Sequence, residues 1–210
     1  LGALAVKLYF APLACSLAVR IAVYDAGLDA RFEQVVLGTK RTIGGDDYLA
    51  INPRGQVPAL VLDDGTLLTE VPAILQHVAG LAPDSGLMPP AGLARTQAQQ
   101  WLNYVATEIH KGVFYLMFNP HAPAEAKAFA GGLLPGRYDF VARALAGRDY
   151  LVGDHFTVAD AYLVTTFAWA NAAGIDLAPW PAITAYRDRL LARPGVGRAV
   201  AEEMALLQAG

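Results

Sequence analysis

Few side chains in this 210-residue chain could do chemistry, and they lie far apart: one cysteine, a carboxylate at a helix start, four histidines and one proline-marked turn. Cys15 sits where a short β-type run over residues 7–10, stopped by Ala11-Pro12, gives way to helical spacing from Ser16. A thiol there faces unpaired amides and the positive end of a helix, which favour thiolate over the ordinary cysteine pKa of about 8.5. The plainer alternative is a buried cysteine acting as a small hydrophobe. In Asn52-Pro53-Arg54-Gly55-Gln56-Val57-Pro58-Ala59-Leu60 a turn runs into an apolar run. Proline donates no amide and stands at a strand's first residue. Val57 therefore keeps backbone groups outside the ladder, able to pair antiparallel with an extended, peptide-like ligand. Spacing alone makes the Val57-Pro58 bond trans. Glu70, just before the helix opened by Val71-Pro72, complements a helix dipole.

The histidines His77, His110, His121 and His155 show no HExxH spacing, and a lone thiol completes no zinc set, so no metal site is expected. His110, on a long amphipathic segment, reads by itself as a surface or groove residue.

These residues need elements to hold them. Residues 7–10 and 32–37 read as strands flanking a helix that begins at Ser16 and stops at Gly27, a right-handed parallel crossover. Residues 38–45 form a polar loop carrying Lys40 and Arg41, and residues 46–50 a short helix. Ala59-Leu60-Val61-Leu62, Asp63-Asp64-Gly65 and Thr66-Leu67-Leu68 make a β-hairpin, and Pro72 opens a helix to about Leu81. This β-α-β then β-β-α order is a thioredoxin-like domain over residues 7–82. Residues 83–92, dense in Pro and Gly, form a linker. Residues 93–210 read as all-helical, with a long helix over 93–118. Another, over 124–146, should break or kink at Gly131-Gly132 and Pro135-Gly136. Thr157 with Asp160 forms a capping box, Phe156 preceding it as a staple, and helices follow over 181–193 and 196–207.

Composition excludes several classes. A net charge of −3 without a Lys/Arg cluster argues against nucleic-acid binding. No apolar run approaches the ~20 residues of a membrane span. Leu1-Gly2-Ala3-Leu4-Ala5-Val6 is too short and lacks the basic start of a secretory signal; it reads as an added remnant or a floppy extension. One cysteine builds no internal disulfide framework and fits a reducing, cytoplasmic setting. Charged residues are 17 % against a typical ~25 %, and hydrophobic residues 55 %, so apolar surface beyond one core is expected, most simply at a subunit interface; abundant alanine also inflates that count.

Ala14-Cys15-Ser16, Gln56-Val57-Pro58-Ala59-Leu60, Asp63-Asp64-Gly65-Thr66-Leu67-Leu68-Thr69-Glu70, Trp101-Leu102-Asn103-Tyr104, His110-Lys111-Gly112 and Phe156-Thr157-Val158-Ala159-Asp160-Ala161-Tyr162 together resemble a bacterial glutathione S-transferase of the beta class. The resemblance covers both halves from about Lys7. It implies a cis bond before Pro58 and glutathione held as co-substrate, its cysteinyl part on Val57 beside Gln56. Glu70 would take the γ-glutamyl ammonium, with the amides behind it on the γ-glutamyl carboxylate. Many relatives carry a hydroxyl residue at the position of Val71, and its absence weakens that grip. Lys40 would approach the glycyl carboxylate. Cys15 would lie beside the glutathione sulfur and form a mixed disulfide with it. His110 would hydrogen-bond or deprotonate the glutathione thiol, Lys111 meet a carboxylate, and Asn103 orient the region. Trp169 with Phe114 or Tyr115 would wall an electrophile pocket. Tyr9 and Phe10 are packing residues; the swap of these aromatics relative to many homologues makes a tyrosine-activated thiolate less attractive than Cys15.

The implied activity is conjugation of glutathione to small hydrophobic electrophiles in a detoxifying, homodimeric enzyme, with glutaredoxin-like thiol transfer from disulfides through Cys15. A non-catalytic ligand-binding or regulatory protein on the same fold is the rival, favoured by Val71 and the Pro135-Gly136 break. A specialised dehalogenase or isomerase is a third reading.

Overall fold

The computed structural model describes residues 6–209, so the apolar opening Leu1 to Ala5 lies outside the described residues. Two compact units emerge: residues up to Leu87 together with those from Pro194 on, and Met88–Arg193. The boundary differs from the sequence reading of residues 93–210 as one helical domain, because the last helix packs with the first unit.

In that unit β1 (Val6–Phe10) pairs parallel with β2 (Ala30–Val36) across α1 (Ser16–Asp25). β4 (Ala59–Val61) lies antiparallel on the other side of β1, and β5 (Leu67–Thr69) on β4. A two-residue strand β3 (Arg41–Thr42), which the sequence had left within a polar loop, extends the β2 edge, giving the order β3-β2-β1-β4-β5. β1 is central and nearly all buried, with Leu8 opposite both Phe32 and Leu60, which is why Val-Lys-Leu-Tyr-Phe reads as an apolar run. α2 (Tyr48–Ile51) follows β3, and α3 (Val71–Leu81) follows β5. α1 packs on α3 and on α9 (Pro194–Ala209); Leu17, Ile21, Ile74 and Leu75 are fully buried there. The Val57-Pro58 bond is cis, as the family resemblance implied and spacing alone did not.

The second unit is helical among its described residues. α4 (Gly92–Tyr104) continues through a π-helical stretch, Val105–Phe114, into α5 (Tyr115–Phe118). In the widened turn the Tyr115 amide reaches the His110 carbonyl, and a Cβ at Gly112 would come within 2.8 Å of the Thr107 carbonyl oxygen. Glycine is therefore what the widened turn accommodates. α6 (Ala124–Ala144) runs through Pro135, so the expected break is absent. Pro135 has no amide to give the Gly131 carbonyl, so one rung of the ladder is missing while the helix continues. α7 (Val158–Ala172) is apolar on nearly every side and correspondingly buried. Its start is fixed by Asp160, which accepts from the Thr157 amide and hydroxyl, both at 2.8 Å, from the Leu151 amide at 2.9 Å and from the Tyr186 hydroxyl at 2.6 Å. Burial pushes the Asp160 carboxyl up while these donors pull it back. α8 (Pro181–Leu191) closes the unit.

Candidate functional site

In the first unit several of the candidate residues gather around one backbone segment, Gly55 to Pro58, that is partly to fully buried. Cys15 is the N-cap of α1 and half-buried. Its thiol makes no capping bond to the helix amides; Sγ donates to the Val57 carbonyl at 3.2 Å. The sulfur and the residue before Pro58 are thereby adjacent although 42 residues apart in sequence.

The stretch leading to Val57 is pinned from several sides. The Gln56 carbonyl accepts from the Tyr48 hydroxyl at 2.8 Å and from Asn52 Nδ2 at 2.7 Å. Asn52 is itself buried, and its Oδ1 takes the Arg54 amide. Lys40, in a left-handed conformation (φ 56°), places Nζ 2.8 Å from the Gly55 carbonyl. Lys40 is thereby held on the turn one residue before Gln56. Tyr48 and Asn52, which the sequence reading missed, support the segment. A tyrosine opening a short helix and an asparagine in a turn gave little signal of that task.

Glu70 caps α3 with φ 68° and ψ 119°, a region that costs a non-glycine residue energy and that recurs at functional sites. Its exposed carboxylate meets Arg54 Nη1 at 2.6 Å, while the Val71 side chain behind it is buried. An acidic side chain and the open amides of a helix start therefore stand together, a pairing suited to an amino-acid ammonium and carboxylate.

The loop carrying Cys15 is also held from α9. Leu13, at φ 55°, donates its amide to Glu203 Oε2 at 2.7 Å. Arg20 lies 3.6 Å from the other oxygen of Glu203 and 2.6 Å from Glu202, its guanidinium over the rings of Phe10 and Phe32. Burial raises the Glu203 carboxyl to about 7 against the pull of Leu13 and Arg20. Sequence pattern gave no hint of it, since a glutamate late in the chain reads as solvated. Tyr9 packs with Val35, Tyr48 and Ala59, the packing role expected of it.

In the second unit His110, Phe114 and Trp169 come together. The His110 and Trp169 ring centroids are 4.9 Å apart and those of Phe114 and Trp169 5.6 Å. Phe114 and Trp169 are both buried. His110 Nδ1 lies 2.7 Å from the Tyr162 hydroxyl, and Nε2 has no partner among the described residues. Desolvation, with the adjacent Lys111 charge, lowers His110 to about 4, so the ring is neutral at pH 7. Tyr115 stands apart: 45 % exposed, it lies 4.4 Å beneath Lys111 Nζ. Asn103 is exposed on α4. Arg137 of α6 steadies the π-helical stretch, donating to the Glu108 carbonyl and carboxylate, both at 2.9 Å.

Among the described residues no group of three or more His, Cys, Asp or Glu side chains is arranged to hold a metal, and no helix is long and apolar enough to cross a membrane.

Known proteins resemble the chain in both units. Residues 14–81 match the glutathione S-transferase N-terminal domain model and residues 105–194 the C-terminal one. A glutathione S-transferase of Escherichia coli O157:H7, GstA, is 44 % identical over 198 residues, covering 94 % of this chain and 98 % of that protein. The crystal structure of a glutathione transferase from Methylococcus capsulatus superposes with a TM-score of 0.91 at 48 % identity, covering 95 % of this chain and 99 % of the other. A sphingomonad glutathione S-transferase complexed with glutathione gives 0.89 at 41 %, covering 94 % and 98 %.

Proposed function

The chain belongs to the glutathione S-transferase family, with a thioredoxin-like unit and a helical one, and we propose that it joins glutathione to small hydrophobic electrophiles and transfers thiols through Cys15. It is a transferase that uses glutathione as co-substrate. The observation that carries the finer reading is the 3.2 Å approach of Cys15 Sγ to the Val57 carbonyl, because it puts a nucleophilic sulfur at the backbone station of a peptide-like ligand.

In this reading glutathione lies extended along Val57, with Gln56, Pro58 and Lys40 beside it. Glu70 takes its ammonium, and the Val71 amide its γ-glutamyl carboxylate. Two reactions follow. Holding the glutathione thiolate against an electrophile lets its sulfur bond to carbon while the leaving group departs, with proximity and charge stabilisation lowering the barrier. Alternatively the Cys15 thiolate attacks a disulfide, one S–S bond forms as another breaks, and a thiolate leaves; glutathione then releases Cys15 by the same exchange. The roles of Asn103, His110 and Lys111 on the tripeptide, and of Phe114, Tyr115 and Trp169 on the electrophile, come from the family resemblance. So do a homodimer and a cytoplasmic location.

Calorimetric titration with glutathione, followed by initial rates with a chlorodinitrobenzene, tests the reading. Saturable binding and glutathione-dependent conjugation are expected. Binding without turnover of the aryl halide or of a mixed disulfide would leave a ligand-binding protein.

A further inference from the structure

Tyr162 is fully buried on α7, yet its hydroxyl sits 2.7 Å from His110 Nδ1. The imidazole ring is walled by Trp169 on one side, meets Tyr162 edge-on, and is carried by a widened helical turn that glycine at 112 permits. It has no room to turn over without losing these contacts. Nε2 is left as the nitrogen able to meet a ligand.

A neutral imidazole carries one proton, and whichever nitrogen bonds a fixed partner decides where it sits. A phenolic hydroxyl is a good donor, and an unprotonated imidazole nitrogen a good acceptor, so the O–H to Nδ1 arrangement is the stronger of the two. We propose that Tyr162 is a positioning residue that donates to Nδ1 of His110 and keeps the ring proton on Nε2. His110 then offers the ligand an N–H donor instead of a base. The depressed basicity of the buried ring agrees, since a group that holds a proton only near pH 4 accepts one from a thiol poorly. An N–H donor, unlike a base, stabilises a thiolate already formed, the task of an oxyanion-type contact. This inference rests on the glutathione reading for its purpose, while the position of the proton does not.

The test is two-bond proton–nitrogen correlation spectroscopy of the full-length chain, with His110 assigned by its loss in His110→Gln. The expected result is a protonated Nε2 and an unprotonated Nδ1 from pH 5.5 to 8, giving way to a mixture of tautomers in Tyr162→Phe. That variant should lower kcat with a chlorodinitrobenzene about tenfold, the loss of one hydrogen bond, and leave KM for glutathione unchanged. A proton on Nδ1 in the wild type, or an unaltered tautomer in Tyr162→Phe, would overturn the proposal. If Tyr162→Phe does not fold, the wild-type spectrum still decides the tautomer. Should the tautomer be as proposed while His110→Gln keeps full conjugating activity, the assignment of His110 to the glutathione thiol fails and the positioning by Tyr162 stands.

Discussion

The two units present their candidate residues by different means. In the first, the proposed ligand station is mostly backbone: the Val57 amide and carbonyl, the amides at the start of α3, and a carbonyl at Gly55 held by Lys40. In the second it is side chains alone, an imidazole locked between Trp169 and Tyr162. Backbone stations are set by turns and by Pro and Gly, and tolerate changes nearby. Side-chain stations depend on how well a core is packed. Burial drives an ionisable group of each unit, Glu203 and His110, in opposite directions. Glu203 is raised to about 7 and His110 lowered to about 4.

That opposition gives the largest expected effects. The Glu203 carboxyl binds its proton more tightly folded than at its ordinary 4.5. Its contribution to stability is complete below pH 4.5 and lost as pH rises through 7. Glu203→Gln should therefore remove a loss of about 3 kcal/mol between those values, read as a smaller fall, or a larger rise, of the denaturant midpoint from pH 4.5 to 7 than in wild type. His110 is the mirror case: its contribution is complete above 6.5 and lost as pH falls through 4. His110→Gln should flatten the acid side by about 2 kcal/mol, discounted for the solvent that its half-buried ring meets. Equal slopes in variant and wild type would break the comparison.

Gly112→Ala sharpens it from the side of packing. A methyl 2.8 Å from the Thr107 carbonyl has only backbone to push against, so the second unit should lose about 2 kcal/mol by denaturant unfolding. On the backbone side, Glu70→Ala should weaken glutathione binding about tenfold by calorimetry, the loss of one charge-assisted contact. Val71→Thr, restoring a hydroxyl at the start of α3, should tighten it about threefold, one neutral hydrogen bond at the weak end of its range.

The contrast also explains what was legible in the sequence. The turn before Val57 and the helix start at Pro72 were legible, because proline and glycine report backbone geometry, while the cis bond before Pro58 came only from the family resemblance. Asp160 was readable as a cap for the same reason. Tyr162 and Glu203 were not, since their roles arise from partners 52 and 190 residues away, and no local pattern encodes such a meeting. Pro135 misled in the other direction. Its expected break or kink, read together with Gly131-Gly132 and Gly136, weighed local propensity alone, and the helix runs on over Ala124–Ala144. The thiol was placed at the right helix start, and the fold brings the Val57 carbonyl to it from 42 residues away.

The central claim is that Cys15 shares its station with the glutathione sulfur. The most direct test is the intact mass of the protein after incubation with oxidised glutathione, for wild type and Cys15→Ala. One glutathione adduct on wild type, released by reductant and missing from the variant, is the predicted result. Wild type without an adduct, although calorimetry shows glutathione bound, would contradict it.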